Sequence, residues 1–520
     1  MTDRPKRPSR PAALVAAGIL LSRLVGLVRT RVMAHYLATS DAADAFAAAF
    51  RIPNFLQNLF GEGALSASFI PVYAGLLAQD DPEEADRMAG AVGALLALAV
   101  SVLVLAGVLL APILVDLLTP GFEGAKRDLT VRLVRILYPG AGLLVLSAWC
   151  LGILNSHGRF FLSYAAPVIW NLAIIAALIV GGRSGSMFRV AEFAAWGSVV
   201  GSALQFGIQL PAVLVVARRI RPSLAAASEH VRTVARNFGP AGLSRGVVQV
   251  SSYVDAVIAS LLPTGALSAL SYSQILYTLP VSLFGIAVSA AELPAMSGAT
   301  GDEAMIAEHL RRRLDGGLRR IAFHVIPSAV AFAALGHVLA AAIFQSGEFT
   351  AADSYYVWGI LAGSSVGLLA ATMARLYSSA FYALRDTRTP FRFALTRVGV
   401  GTVLGATGAL FLPELLGLEA RWGAAGLTLA ASLAGWVELI LLRRAIVRRI
   451  GPIRLDPGYA GRCWIAAGAA AVAGVAAWLT FPLRHPVPAA VAAVGLYGLI
   501  YFVVAAAFGI DRARRTLRLF

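Results

Sequence analysis

The sequence predicts an all-α polytopic membrane protein of about 14 transmembrane helices, arranged as two six-helix lobes in parallel repeat plus a C-terminal helix pair. Three observations carry that reading. Of 520 residues, 58% are hydrophobic and only 14% charged, against about 25% charged in a soluble chain, and mean hydropathy is +0.75. Apolar runs long enough to cross a bilayer recur from end to end. The basic residues collect in alternate connecting segments, as the positive-inside rule requires.

The first span, 12–38, follows a basic, proline-rich start and reads as an uncleaved helix. No small-residue cleavage site follows it, and Arg23 and Arg29 interrupt the next stretch. Further spans are expected at 43–77, 88–118, 132–154, 160–181, 191–216, 237–262, 267–298, 321–345, 354–382, 391–411, 422–442, 463–480 and 487–509. Several exceed the roughly 20 residues a membrane needs, so they tilt or project into water. With the N-terminus in the cytoplasm, segments 1–11, 78–87, 155–159, 217–236, 299–320, 383–392, 443–462 and 510–520 are cytoplasmic. They hold 29 of the 44 Lys and Arg residues. Both termini then lie in the cytoplasm, as an even span number demands.

Segments 217–236 and 299–320 are the longest cytoplasmic links and read as amphipathic surface helices. Residues 443–462 form a basic linker with a Gly-Pro break. The expected division is therefore 1–216, 237–446 and 459–520. A weak repeat supports it. Ser22-Arg23 in span one matches Ser244-Arg245 in span seven. Pro53–Gly61 (PNFLQNLFG) in span two matches Pro280–Gly285 (PVSLFG) in span eight. Six spans separate the copies, so both begin on the same side, with a substrate site expected between the lobes.

The net charge of +16 reads as topology and attraction to anionic membrane lipid, not as nucleic-acid binding, because the basic residues sit between apolar runs. Cys150 and Cys463, far apart in sequence, build no disulfide framework or metal cluster. No HExxH spacing and no GxxxxGK[ST] phosphate loop occurs. No nucleophilic triad or glycosidase carboxylate pair stands out. The expectation is a transporter with no metal or cofactor, not an enzyme.

Charges inside apolar spans cost about 2.5–3.5 kcal/mol each on insertion scales, so they mark function or pairing. Span one holds Arg23, Arg29, Arg31 and His35. Span two holds Asp44, Arg51 and Glu62, with Asn54, Gln57 and Asn58 between the last two. Asn54, Gln57 and Asn58 share one helix face at i, i+3, i+4, and Gly26 between Arg23 and Arg29 permits close packing. One reading is structural: arginines snorkel to headgroups and carboxylates serve as their counter-ions. The other is a water-filled cationic cavity for an anionic headgroup, since the arginine fork binds two phosphate oxygens at once. Asp255 in span seven and Glu292 in span eight are candidates for binding a coupling cation or for counter-charge.

Residues 22–79 (SRLVGLVRTRVMAHYLATSDAADAFAAAFRIPNFLQNLFGEGALSASFIPVYAGLLAQ) resemble the signature region of the MurJ (MviN) family. These are bacterial lipid II flippases of the multidrug/oligosaccharidyl-lipid/polysaccharide exporter superfamily. The matching pieces are S-R-x-x-G-x-x-R at Ser22–Arg29, Asp44-Ala45-Phe46, Arg51-x-Pro53-Asn54 and E-G-A-x-S from Glu62. FQSGEFTAAD at 344–353 and FYALRDTRTPFR at 381–392 also match.

The resemblance implies fourteen helices and a function. The chain would flip a polyprenyl-diphosphate-linked peptidoglycan precursor, lipid II, across the bacterial cytoplasmic membrane by alternating access. The alternatives are another lipid-linked glycan of O-antigen or capsule type, or a scaffold that recruits wall-synthesis proteins. The implied substrate-binding residues are Arg23, Arg29, Arg51 and Asp44, joined by Asn54 and Gln57. Two family arginines are replaced, by Gln57 and by Ile275, which leaves the cargo open. A sodium ion, a proton or the membrane potential is the expected driving force.

Overall fold

The computed structural model describes residues 10–223, 228–298, 300–453, 456–480 and 485–517, with the side chains of 10–16, 62, 239–251 and 517 set aside. Among the described residues the regular structure is helical. The first half contains α1 (Arg10–Leu37), α2 (Asp41–Phe60), α3 (Glu62–Ser68), α4 (Ile70–Ala78), α5 (Pro82–Leu109), α6 (Ala111–Leu118), α7 (Gly124–Ser156), α8 (Phe160–Gly181), α9 (Met187–Val216) and α10 (Glu229–Ser260). The second contains α11 (Ala266–Pro280), α12 (Ala287–Ser297), α13 (Glu303–Phe344), α14 (Ala351–Ala383), α15 (Arg388–Leu410), α16 (Leu412–Leu415), α17 (Gly423–Ile450), α18 (Pro457–Thr480), α19 (Pro486–Ala507) and α20 (Asp511–Leu517). Among the described residues twelve spans are long and apolar enough to cross a membrane. The arginine-bearing helices α1 and α10, 28 and 32 residues long, occupy the places of expected spans one and seven.

The chain forms two compact units, Met1–Leu261 and Leu262–Phe520. In the first, α2 and α5 pack on α7, α7 and α8 pack on α9, and α1 packs on α8. In the second, α11 and α13 pack on α14, and α14 and α15 pack on α17. Counted in spans, the pairs two–four, three–four, four–six and five–six recur as eight–ten, nine–ten, ten–twelve and eleven–twelve. This is the six-span offset of the sequence repeat. The pair one–five has no comparable counterpart, because α10 packs instead on α2 and α3 within the first unit. Sequence offset and packing thus divide the chain at different points around span seven.

The repeated proline-to-glycine motif distorts the helix in both units. In the first, α2 ends at Phe60, and Gly61 is extended at φ −80°, ψ −156° before α3 begins. A Cβ on Gly61 would lie 2.1 Å from the Gln57 carbonyl oxygen, so only glycine fits this break. In the second, Pro280 leads into a π-helical stretch, Val281–Ile286. Such stretches arise where the regular ladder is interrupted.

Helices meet through small residues, as expected where lipid supplies no hydrophobic drive between them. A Cβ on Gly426 would meet the Gly408 carbonyl oxygen of α15 at 2.2 Å, and one on Gly367 would meet Ser432 Cα at 2.6 Å. Among the described residues the two expected surface helices are not separate elements: residues 303–320 are the start of α13 and residues 229–236 the start of α10, while 224–227 and 299 lie outside the described residues. In 303–344 the only helix breaker other than glycine is Pro327, and its cost is met. Proline has no N–H and so frees the carbonyl four residues earlier, that of Phe323. The Tyr501 hydroxyl of α19 donates to that oxygen at 2.6 Å, and the Tyr497 hydroxyl donates to the Pro327 carbonyl at 2.7 Å. The C-terminal pair α18–α19 is docked on α13 through this repair.

Candidate functional site

The polar residues of spans one and two gather in the first unit. Ser40 caps α2, accepting from the Ala43 N–H at 3.2 Å. That cap puts Asp41 and Asp44 in the first helical turn, where the positive end of the helix dipole favours carboxylates. Asp44 is 1% exposed. The Lys126 ammonium, just inside α7, stands 2.8 Å from Asp44 Oδ2 and 3.0 Å from Asp41 Oδ1. It also lies 4.3 Å from the centroid of the Phe122 ring. Sequence reasoning missed Lys126. The available signal was its place as one of two lysines, on the side where basic residues are scarce.

Arg51 sits two turns further along α2. Asp255 and Asp44 both act on it electrostatically, and the Tyr253 hydroxyl donates to its backbone carbonyl at 3.2 Å. Asp255 is therefore brought to Arg51 by the packing of α10 on α2. Asn54 and Gln57 follow one and two turns later, half-buried. Phe55, between them, is exposed and meets Tyr253 edge-on at 5.9 Å.

On α1, Arg23 is exposed and has no acidic partner among the described residues. Arg29 is half-buried. Its guanidinium lies 4.9 Å from the centroid of Trp170 of α8, and its Nε is buried with no hydrogen-bond partner among the described residues. Trp170 is itself fixed by donating to the Ser198 carbonyl oxygen of α9 at 3.2 Å. Thr30 turns back on its own helix, donating to the Gly26 carbonyl at 3.0 Å. The stack on Trp170 holds the arginine plane while leaving donors unspent, the arrangement that suits an incoming anion.

Glu292 belongs to the second unit. It is 2% exposed and shared by Arg320 and Arg313 of α13, with Arg313 at 3.7 Å. Asp255 and Glu292 thus lie in different units, each beside arginine. Ile275 is half-buried on α11. The side chains of Arg245 and Glu62 lie outside the described residues.

Comparison with known proteins places the chain in a family. A family model described as "Lipid II flippase MurJ" matches residues 33–499. The "Probable lipid II flippase MurJ" of Rhizobium meliloti is 33% identical over 523 residues, covering 96% of this chain and 94% of that protein. The "Lipid II flippase MurJ" of Burkholderia cenocepacia is 32% identical over 456 residues, covering 86% and 85%. A solved lipid II flippase MurJ in an inward closed conformation superposes with TM-score 0.76 at 21% identity, over 96% of this chain and 99% of its own. An inward-facing MATE family transporter of the MOP superfamily superposes with TM-score 0.65 at 16% identity, over 84% and 98%. At these identities the two structures speak to the fold alone, whereas the family model and the relatives speak to descent. The chain belongs to the lipid II flippase MurJ family.

Proposed function

We propose that this multi-pass membrane protein flips lipid II, a polyprenyl-diphosphate-linked peptidoglycan precursor, from the inner to the outer leaflet of the bacterial cytoplasmic membrane. No covalent bond changes. Family membership supports the cargo. The observation that carries the binding mode is Arg29 on α1, stacked on Trp170 with a buried Nε that has no hydrogen-bond partner among the described residues. Arg23, Arg29 and Arg51 bind the diphosphate oxygens, and Asn54 and Gln57 hydrogen-bond the headgroup. Asp44 acts as a positioning residue that fixes the Lys126 ammonium. Alternating access exposes this face to one side of the membrane and then to the other, with both termini in the cytoplasm. An inside-negative potential acts on the cationic face with about 2.3 kcal/mol per charge per 100 mV.

The test uses cells depleted of their own flippase and expressing this chain. A toxin added outside the cytoplasmic membrane cleaves lipid II that has reached the outer leaflet, and the cleavage product is quantified. Restored cleavage is the expected result. With the protein verified in the membrane, no restoration would overturn lipid II as cargo and point to another lipid-linked glycan, consistent with Gln57 and Ile275 in place of arginines.

A further inference from the structure

A second cationic cluster lies in the second unit, on the arginine-rich side of the membrane, and belongs to none of the residues assigned above to the cargo. Arg319 and Arg320 end the first part of α13, before its apolar stretch, and Arg512 begins the short helix α20 that follows α19. The chain folds so that these distant residues meet, because α18 and α19 both dock on α13 and α20 turns back on α19. Arg462 of α18 braces the corner by donating to the Phe508 carbonyl oxygen at 3.1 Å. Tyr459 of α18 sits between the arginines. Its hydroxyl donates to the Arg319 carbonyl oxygen at 3.4 Å, and its ring centroid is 5.9 Å from the Arg319 guanidinium.

The carboxylates nearby do not balance the cluster. Asp315 pairs with Arg319 at 3.2 Å. Glu292 is divided between Arg320 and Arg313. Asp456 is taken by Arg462 at 3.4 Å, and Asp511 stands exposed at the start of α20. Arg512 has no acidic partner among the described residues. Its Nη1 and the Nε of Arg319 are both buried with no hydrogen-bond partner among those residues. Burial above all pushes the Arg512 guanidinium below its ordinary value; Tyr459 pulls the other way, and smaller repulsions from Arg320, Arg515 and Arg319 add to the burial. Like charges gathered with unspent planar donors are costly alone and become favourable around an anion with several oxygens.

We propose that Arg319, Arg320 and Arg512 form a binding site for the phosphate-bearing headgroup of a lipid in the leaflet on the arginine-rich side of the membrane. The three residues join the point where α13 turns apolar to the end of the C-terminal helix pair, so a phosphate held there ties the pair to α13. The site is separate from the cargo face and does not depend on the identity of the cargo.

The experiment is native mass spectrometry of the full-length protein released from nanodiscs containing equal phosphatidylglycerol and phosphatidylcholine. The wild type is expected to retain phosphatidylglycerol several-fold over phosphatidylcholine. Arg512→Gln is expected to reduce phosphatidylglycerol retention about fivefold, the equivalent of the ~1 kcal/mol that one basic residue contributes at an anionic surface. Arg319→Gln should act in the same direction. Arg421→Gln, at the opposite end of the second unit's spans, should change nothing. Thermal melting of each variant separates loss of the site from loss of the fold, and Arg512→Lys keeps the charge if the glutamine variant does not fold. Equal retention of both lipids by the wild type, or unchanged retention by folded Arg512 and Arg319 variants, would overturn the proposal. Inorganic pyrophosphate is the second arm. Weak binding that phosphatidylglycerol displaces supports a lipid ligand. Binding that phosphatidylglycerol cannot displace overturns it in favour of a free phosphate.

Discussion

The Lys126 ammonium lies 2.8 Å from the Asp44 carboxylate, joining the first turn of α7 to the first turn of α2. Asp44 is almost fully enclosed, and Lys126 stands against its carboxylate inside the first unit. Removing one member of a buried pair leaves an uncompensated charge. Lys126→Ala is therefore expected to destabilise the protein by about 3 kcal/mol, read as a lower melting temperature in detergent. The double change Lys126→Met with Asp44→Asn should recover most of the loss. A double variant as unstable as the single would show that the pair does not act as a unit.

Arg29 tests the cargo-binding role. Arg29→Ala should leave membrane levels intact and reduce outer-leaflet lipid II by at least tenfold, the scale of one lost charge-assisted hydrogen-bonding group. Arg29→Lys should not restore it, because an ammonium lacks the fork and stacks less well on Trp170. Wild-type lipid II exposure from both variants would remove Arg29 from the binding set.

The contact between Tyr501 and Phe323 is expected to be conditional on proline. Tyr501→Phe leaves the Phe323 carbonyl without a donor and should cost about 1 kcal/mol. Pro327→Ala restores the helical N–H to that carbonyl. In the Pro327→Ala background, Tyr501→Phe should cost clearly less. A thermal-melting double-mutant cycle measures the difference, and equal costs in both backgrounds would refute the repair.

The turn before α15 supplies a pH prediction outside the spans. Asp386 accepts from the Thr389 N–H at 3.0 Å and from its hydroxyl at 2.7 Å, and pairs with Arg449 at 2.6 Å. The Thr389 backbone bond, assisted by these partners, holds the Asp386 carboxyl below its usual range. Its contribution is present above the ordinary aspartate value and is lost as pH falls through the depressed folded value. Amide protection in residues 387–392, taken as exchange relative to the intrinsic rate at each pH, should fall on acidification below about pH 4 in the wild type. Asp386→Asn should be less protected at neutral pH and lose most of that pH dependence of protection. Identical profiles would exclude Asp386 as the cause.

The helical class, the span positions and the family motif were legible because each rests on local composition and spacing. A bilayer demands about 20 apolar residues per crossing, and insertion sorts arginine to one side. The six-span repeat was visible as two proline-to-glycine motifs, and the packing pairs recur at that offset. The partners of the charges were not legible. Lys126 with Asp44, Asp255 with Arg51 and Arg320 with Glu292 join residues 28 or more positions apart in sequence, and no periodicity encodes which helix faces another. Tertiary packing alone decided them, because a buried charge takes whichever opposite charge the docked helices bring within reach. The same holds for α13, where the sequence shows a proline and only the docked Tyr501 shows why the helix continues through it.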